Sequence, residues 1–236
     1  TVFFTDSRAK KNVTVFDTTL RDGEQTPGIS FTLEEKLGIA QHLSDIGVHA
    51  IEAGFPASST AEREIVKAIK GLGLDARVCG LARALPADVD ACIDCDVDLV
   101  HVFIPTSDVQ REYTIRKTRE EVLRATGDII AYTRDHVGQC MFSAMDATRT
   151  DWDYLMEVYR VAVEAGATVI NVPDTVGVIT PAAMKRLITR IEEEVNCPID
   201  VHCHNDFGLA VANTIAAVEA GASQVQVTVN GIGERA

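Results

Sequence analysis

Three stretches of the sequence share one pattern and decide the fold: IGVHAIE (46–52), AGATVIN (165–171) and AGASQVQV (220–227). In each stretch a glycine follows a helix-forming segment and precedes a short run of apolar and β-branched residues. Glycine is common just beyond helix C-termini because it adopts positive φ without strain. Short apolar runs of this kind predict buried strands. The repeat therefore predicts helix–turn–strand units.

Runs of the same kind predict eight strands in all, at 13–17, 50–53, 76–80, 99–104, 140–143, 169–172, 199–203 and 224–229. Helices fit between them, and strict alternation of strands and helices implies a parallel sheet. Eight units favour a closed (β/α)8 TIM barrel over an open doubly wound sheet. The Rossmann alternative is weakened because no Gly-x-Gly-x-x-Gly follows the first strand.

Capping signals mark where several helices begin. Three pairs have the spacing of a capping box: Thr32 with Glu35, Ser59 with Glu62, and Thr118 with Glu121. Thr180 before Pro181 is an N-cap with proline at the first helical position. No linker divides the chain, so we predict one catalytic barrel domain over residues 1–236. The sequence stops directly after the eighth strand, and we expect the eighth helix to lie outside it.

Composition and charge limit the classes of partner. The 236 residues carry a net charge of -13, which argues against nucleic acid because phosphate backbones require clustered Lys and Arg. No apolar run approaches the roughly 18 residues of a membrane helix. Residues 1–12 have no signal-peptide apolar core, so we expect a cytoplasmic protein. Cys92 and Cys95 have C-x-x-C spacing without a second pair, so buried thiols are expected rather than zinc.

Polar residues follow most of the predicted strands, at the end of the barrel where TIM-barrel active sites lie. His202 and His204 are two residues apart on the seventh strand, so both project to the same face. Asp22, after the first strand, can reach the same point. Two imidazoles and a carboxylate suit Mn²⁺, Mg²⁺, Zn²⁺ or Co²⁺. The alternative is a pair of hydrogen-bonded core histidines; the polar strand ends favour the metal.

Three further side chains have two interpretations each. Arg21, beside the predicted ligand Asp22, is a candidate for stabilising a developing enolate, or forms a salt bridge to Glu52 or Glu24. His101 is either a substrate contact or an inward-facing core histidine. Glu52 is either a base or the buried partner of Arg21.

Three motifs resemble those of the metal-dependent Claisen-condensing barrel enzymes: FDTTLRDGEQ (16–25), VHCHND (201–206) and NGIGERA (230–236). This family includes 2-isopropylmalate, homocitrate and citramalate synthases and the related lyases that cleave hydroxymethylglutaryl-CoA. The resemblance implies condensation of acetyl-CoA with a 2-oxo acid chelated by a divalent ion, in an enzyme that we expect to be a homodimer.

By motif position, the resemblance assigns a role to eight residues. Asp22, His202 and His204 match the metal ligands, and Arg21 matches the catalytic arginine. The substrate-binding positions, which also include Arg21, are Gln25, His101, Ser143 and Thr175.

The resemblance is greatest to 2-isopropylmalate synthases, which act in leucine biosynthesis with 3-methyl-2-oxobutanoate as the 2-oxo acid. Homocitrate synthases carry His where Leu81 stands and Arg where Met141 stands, to hold a second carboxylate. Two apolar residues would leave that carboxylate buried and unpaired. Citramalate synthase, which uses pyruvate, is the alternative within the family.

Departures from the family pattern leave other hypotheses open. Met145 replaces a pocket Glu, and Met141 stands where 2-isopropylmalate synthases carry Glu. The family's fourth ligand, an Asn, falls beyond Ala236, as do its C-terminal subdomains. A catalytically impaired fragment is therefore one alternative. A metal-dependent acyl-CoA lyase is another, but the reactive Cys of the lyases is absent from 231–235.

Overall fold

The computed structural model describes residues 12–235. The predicted absence of a signal-peptide core falls mainly on residues 1–11, which lie outside the described residues, as does Ala236. Among the described residues, no helix combines the length and apolar character that a membrane crossing requires. The strands are β1 (Thr14–Asp17), β2 (Ala50–Gly54), β3 (Arg77–Arg83), β4 (Leu99–Pro105), β5 (Cys140–Met145), β6 (Val169–Asp174), β7 (Ile199–Cys203) and β8 (Gln224–Val227).

Seven helices follow the first seven strands in order: α1 (Leu33–Asp45), α2 (Thr60–Lys70), α3 (Pro86–Ile93), α4 (Arg119–His136), α5 (Trp152–Glu164), α6 (Pro181–Glu194) and α7 (Ala210–Ala220). A short helical segment, 108–115, precedes α4. In the described part of the chain, β8 is followed only by the one-turn helix Val229–Gly231. This helix begins at Val229 and contains Asn230 with φ 56°, whereas the predicted strand extended to residue 229; β8 ends at Val227.

The eight strands close into a parallel barrel in the order β1 to β8, which confirms the predicted TIM barrel. Closure occurs between the first and last strands, where Thr14 pairs with Gln224 and Asp17 pairs with Val227. Because all strands run in one direction, their carboxyl ends meet at one rim. That rim gathers the polar residues that follow each strand.

The predicted helix starts are mostly confirmed. Capping boxes with both hydrogen bonds form at Thr32 and at Thr118. The prediction at Ser59 is half wrong: Ser59 caps α2, but the Glu62 carboxylate turns away to accept from Lys36 Nζ and from the Phe55 amide. Thr180 is the N-cap residue of α6 with Pro181 at the first helical position, as predicted, but the Thr180 side chain makes no capping hydrogen bond.

The interior of the barrel has an apolar floor and a polar upper part. Phe16, Ala50, Cys79, Leu99 and Met141 form a small buried cluster separate from the main core. Their apolar neighbours along each strand belong to or pack against the main core under the helices. Because successive side chains of a strand point to opposite faces, these five residues point into the barrel. Polar side chains one step further along the strands lie above this floor. The apolar floor therefore closes the barrel below the site.

Candidate metal centre and its cavity

Asp22, His202 and His204 converge at the carboxyl rim. The two histidines lie at the end of β7, and Asp22 follows β1 at the start of the one-turn helix Gly23–Gln25. One ligand atom from each residue lies within 4.8 Å of the other two. The separation of Asp22 Oδ2 from His202 Nε2 is 3.9 Å. In the described residues, this is the one group of His, Cys, Asp and Glu close enough to hold an ion.

The hydrogen bonds of both imidazoles set their tautomers. His202 Nδ1 lies 2.7 Å from Gln226 Oε1, and His204 Nδ1 lies 2.6 Å from the Thr175 carbonyl oxygen. Each acceptor requires a proton on Nδ1. Arg235 Nη2 lies beside both the Thr175 carbonyl oxygen and, at 2.9 Å, His204 Nδ1. We assign its proton to the carbonyl, so this oxygen is an acceptor shared by Arg235 and His204. Both Nε2 atoms are consequently left without a proton.

The bare Nε2 atoms face each other at 3.2 Å. Two lone pairs at this distance repel, and the adjacent Asp22 carboxylate brings a third electron-rich atom. Burial lowers the pKa of His202 to about 4, although Asp22 opposes that shift, so the ring is neutral at physiological pH. A divalent cation resolves the repulsion, and histidines bound through Nε2 with Nδ1 donating to a carbonyl are typical of metal sites. The residues present therefore fit a metal ion.

Beside this group, Arg21 begins a line of charged and polar side chains across the barrel. Arg21 Nε donates to Glu52 Oε2 at 2.5 Å, and His101 Nδ1 lies 2.6 Å from Glu52 Oε1. His101 Nε2 lies 2.7 Å from Ser143 Oγ. Glu52 is fully buried, and burial alone opposes its ionisation, but Arg21 and His101 lower its pKa to about 2. Glu52 is thus the partner of Arg21, and both its oxygens are occupied, which rules against a role as base.

A cavity of about 270 Å³ opens at the rim above these groups. It is lined by every residue predicted for substrate binding: Arg21, Gln25, His101, Ser143 and Thr175. His202 and His204 form part of the same wall. Apolar side chains line the cavity as well: Leu81, Phe103, Met145 and Pro173. The cavity therefore offers polar groups beside the candidate metal centre together with an apolar surface.

The two apolar residues that were expected to select the substrate occupy different places. Leu81 lines the cavity, whereas Met141 belongs to the apolar floor, where it is fully buried. The expectation that both face the substrate is wrong for Met141. Both residues belong to one row of paired residues in the sheet: Leu81 pairs with His101 from one side, and Met141 pairs with the same histidine from the other. The floor cluster nevertheless includes Met141 and not Leu81.

Sequence reasoning missed four residues of the site. Asn171, Gln226 and Glu234 line the cavity, and Asp200 lies below them. A signal for one of them was present: QVQV (224–227) alternates polar and apolar residues in a barrel strand whose two faces are both covered. Polar residues at that period must point into the barrel. The hydrogen bonds that join them depend on tertiary structure.

The family model described as HMGL-like matches residues 12–236. A protein of Methanosarcina mazei named probable 2-isopropylmalate synthase is 63% identical over 99% of this chain and 45% of its own length. The 2-isopropylmalate synthase of Methanocaldococcus jannaschii is 59% identical over 94% of this chain and 43% of its own length. The chain thus spans less than half of either relative.

Relatives with other names are also similar. A homocitrate synthase of Methanopyrus kandleri is 55% identical over 95% of this chain and 56% of its own length, and an (R)-citramalate synthase of Methanocaldococcus jannaschii is 50% identical over 95% and 46%. Among solved structures, the hydroxymethylglutaryl-CoA lyase of Pseudomonas aeruginosa superposes with a TM-score of 0.80 at 23% identity, covering 94% of this chain and 78% of its own. That similarity shows a common barrel. Because the family model extends over all described residues, this chain belongs to the HMGL-like family.

Proposed function

We propose that this barrel is the catalytic domain of an acyltransferase that condenses acetyl-CoA with 3-methyl-2-oxobutanoate to give 2-isopropylmalate and CoA. One observation carries the proposal: a paired-histidine metal centre and Arg21 share a cavity with an apolar surface. High identity to proteins named 2-isopropylmalate synthase supports the same choice.

Asp22, His202 and His204 would hold the divalent ion, and the chemistry of these ligands suits Mn²⁺, Mg²⁺, Zn²⁺ or Co²⁺. When bound, the ion would supply Lewis acidity at the keto and carboxylate oxygens of the 2-oxo acid. We assign Thr175 to that carboxylate, because Thr175 lines the cavity and its hydroxyl oxygen accepts from the Asp146 amide. Its hydroxyl proton is free for the substrate.

Arg21 is the residue that we assign to transition-state stabilisation. The reaction removes a proton from the acetyl methyl group, joins that carbon to the keto carbon, and ends with hydrolysis of the thioester. Negative charge develops on the thioester oxygen as the enolate forms, and a guanidinium at the cavity wall stabilises it. Glu52 holds Arg21 through Nε, and Arg21 Nη1 donates to Asp22 Oδ1 and Gln25 Oε1 at the rim.

The apolar surface is the basis for choosing among 2-oxo acids. Leu81, Phe103 and Met145 offer no partner for a second carboxylate, which disfavours the dicarboxylic substrate of a homocitrate-type reaction. Pyruvate fits but covers less of this surface than a branched side chain does. Each methylene in such a pocket contributes roughly 10–200-fold to discrimination. We further propose that the enzyme is a cytoplasmic homodimer.

A panel of 2-oxo acids tests the proposal. Full-length protein is incubated with acetyl-CoA, a divalent ion and either 3-methyl-2-oxobutanoate, pyruvate or 2-oxoglutarate, and CoA release is followed with a thiol reagent. We expect kcat/KM to be at least about tenfold higher for 3-methyl-2-oxobutanoate than for pyruvate, and no turnover with EDTA. Activity with pyruvate alone would replace the proposal with the citramalate reaction.

A further inference from the structure

Asp200 lies on β7, one inward-facing position below His202, and is fully buried. Its Oδ2 atom accepts from two amides at once: Asn171 Nδ2 at 2.6 Å and Gln226 Nε2 at 2.6 Å. Its Oδ1 atom has no hydrogen-bond partner among residues 12–235. One carboxylate oxygen therefore joins the strands on both sides of β7 inside the barrel.

The bond to Gln226 determines what that side chain presents to the metal centre. Because its Nε2 donates to Asp200, its Oε1 must face His202 Nδ1, at 2.7 Å. A carbonyl at this point keeps the proton of His202 on Nδ1 and leaves Nε2 bare. If the Gln226 amide turned over, its NH₂ group would face Nδ1 and the proton would move to Nε2, where it blocks metal binding.

The bond to Asn171 has a similar effect on the opposite side. With Nδ2 donating to Asp200, Asn171 Oδ1 faces Ser143 and accepts its hydroxyl proton at 2.5 Å. Ser143 has no second proton to donate, so His101 Nε2 must donate to Ser143 Oγ. His101 Nδ1 faces the Glu52 carboxylate, which holds Arg21. The directions of the bonds from Asn171 to His101 Nε2 therefore follow from the acceptor at the start of this arm.

We propose that Asp200 is a positioning residue that sets the direction of both hydrogen-bond arms, and thereby holds His202 in the tautomer that binds metal. This inference rests on the metal site of the proposed function. Among polar side chains of this size, only a carboxylate accepts from both amides without offering either a competing donor. An amide at position 200 would permit either orientation of the Asn171 and Gln226 side-chain amides. An apolar residue at position 200 would not fix the orientation of either amide.

His204 allows a positioning role of Asp200 to be distinguished from a purely structural role. Its Nδ1 atom faces the backbone carbonyl of Thr175 and Arg235 Nη2, and neither partner depends on Asp200. A general loosening of the barrel would affect both histidines. Loss of the relay through Gln226 would affect His202 and leave His204 unchanged, so the second histidine is an internal reference.

Three variants of the full-length protein separate these cases. Asp200→Val removes the acceptor with little change in volume, and Asp200→Asn supplies an acceptor together with a donor. Val201→Ala is the matched control, because Val201 is equally buried on the same strand but packs under the helices. Gln226→Met interrupts the His202 arm alone and serves as a second route if Asp200→Val does not fold.

Two readouts are made on each variant. Long-range ¹H–¹⁵N spectra of metal-free, histidine-labelled protein report which ring nitrogen carries the proton. Calorimetric titration with Mn²⁺ alone reports the Kd. We expect His202 to lose its single Nδ1–H form in Asp200→Val and in Gln226→Met, while His204 keeps it. The Mn²⁺ Kd should rise by about 10–100-fold in both, with Asp200→Asn between them and wild type.

The outcomes distinguish this inference from the metal site itself. Wild type that binds no Mn²⁺ would remove the metal site and the inference with it. Wild type that binds Mn²⁺, together with an unchanged His202 tautomer and Kd in Asp200→Val and Gln226→Met, would overturn the inference alone. Equal disturbance of both histidines, or a Kd change in Val201→Ala as large as in Asp200→Val, would overturn it in favour of a structural role.

Discussion

His202 and His204 point their Nε2 atoms at each other across 3.2 Å, with both Nδ1 protons committed elsewhere. No hydrogen bond can form between two bare nitrogens, so the contact is unfavourable without a cation. Two histidines at positions i and i+2 of one strand lie side by side whatever their role. In a hydrogen-bonded core pair, however, one Nε2 would carry a proton and donate it to the other. Gln226 and Thr175 instead hold both protons on the Nδ1 atoms. The pair is therefore arranged as metal ligands and not as a hydrogen-bonded core pair.

The first prediction concerns these ligands. We expect His202→Ala, His204→Ala and Asp22→Asn each to weaken Mn²⁺ binding by more than about 100-fold, because substitutions outside the ligand shell already cost 10–100-fold. Cys203→Ala is the control, since Cys203 lies between the histidines and packs against the outer core. Isothermal titration measures the affinities. A ligand variant that binds Mn²⁺ as tightly as Cys203→Ala does would contradict the site.

Much of the fold was predictable from local signals. Glycines after several of the helices, apolar runs of strand length and Thr-x-x-Glu caps can each be recognised over a few residues, and the barrel order follows from alternation alone. The turn of Glu62 away from Ser59 was not predictable, because Lys36 comes from another helix. Local rules describe what a side chain can bind, and a long-range partner decided what Glu62 does bind.

The site also has residues that local signals predict and residues that depend on long-range contacts. His202, His204 and Asp22 follow from period-two geometry and from their place after strands. Asn171 and Asp200 gave no such signal, because an amide and a carboxylate within strands are ambiguous until their neighbours across the barrel are known. Met141 was misplaced for a related reason: its depth depends on the stagger between strands, which sequence alone does not specify.

A second prediction addresses Arg21. Arg21→Lys keeps the charge but loses the fork that donates to Glu52, Asp22 and Gln25 together. We expect kcat for condensation in the full-length protein to fall by about 100–1,000-fold, as when a donor to a developing oxyanion is removed. Mn²⁺ affinity, measured in parallel, should change far less. A loss of metal binding equal to that of Asp22→Asn would mean that Arg21 acts by holding the ligand.

A third prediction uses the pH dependence of stability. Arg21 and His101 lower the pKa of Glu52 to about 2 against the opposing effect of burial, from an ordinary value of 4.5. A depressed pKa contributes stability that is complete above the unfolded value and is lost as the pH falls towards the folded value. The contribution is roughly 3 kcal/mol at neutral pH. It should disappear between about pH 4.5 and pH 2.

Glu52→Gln cannot titrate and provides the comparison. The difference in unfolding free energy between wild type and Glu52→Gln, from urea denaturation with EDTA, should be largest near neutral pH and shrink on acidification. Glu157→Gln, at an exposed position of α5, should follow wild type throughout. A difference that stays constant from neutral to acidic pH would show that Glu52 has no depressed pKa.

A fourth prediction concerns the apolar surface of the cavity. Leu81 lines it, so Leu81→Ala removes contact with a branched substrate but not with pyruvate. We expect the preference for 3-methyl-2-oxobutanoate over pyruvate, as a ratio of kcat/KM values, to fall by about tenfold or more. Met141→Leu, in the floor below the cavity, should leave the ratio unchanged. A ratio that changes in Met141→Leu but not in Leu81→Ala would show that Met141, and not Leu81, determines the substrate preference.

The last prediction concerns a buried lysine that joins the segment after β1 to the first turn of α2. Lys36, 1% exposed on α1, lies with Nζ 2.6 Å from Glu24 Oε2 and 3.1 Å from Glu62 Oε2. Glu24 follows Asp22 by two residues, and the Glu62 carboxylate also accepts from the Phe55 amide beyond β2. Lys36 therefore helps to hold the loop that carries Asp22. Removing it leaves two largely buried carboxylates without their shared cation.

We expect Lys36→Met to lower the free energy of unfolding by about 3 kcal/mol, because a buried ion pair that loses one partner leaves uncompensated charge. Lys67→Met is the matched control: Lys67 pairs with Glu64 on the surface of α2, and such pairs contribute about 0–1 kcal/mol. Urea denaturation compares the two variants. Lys36→Met should also weaken Mn²⁺ binding, since Asp22 loses support, whereas Lys67→Met should not. Equal stability of the two variants would show that the Asp22 loop is held without Lys36.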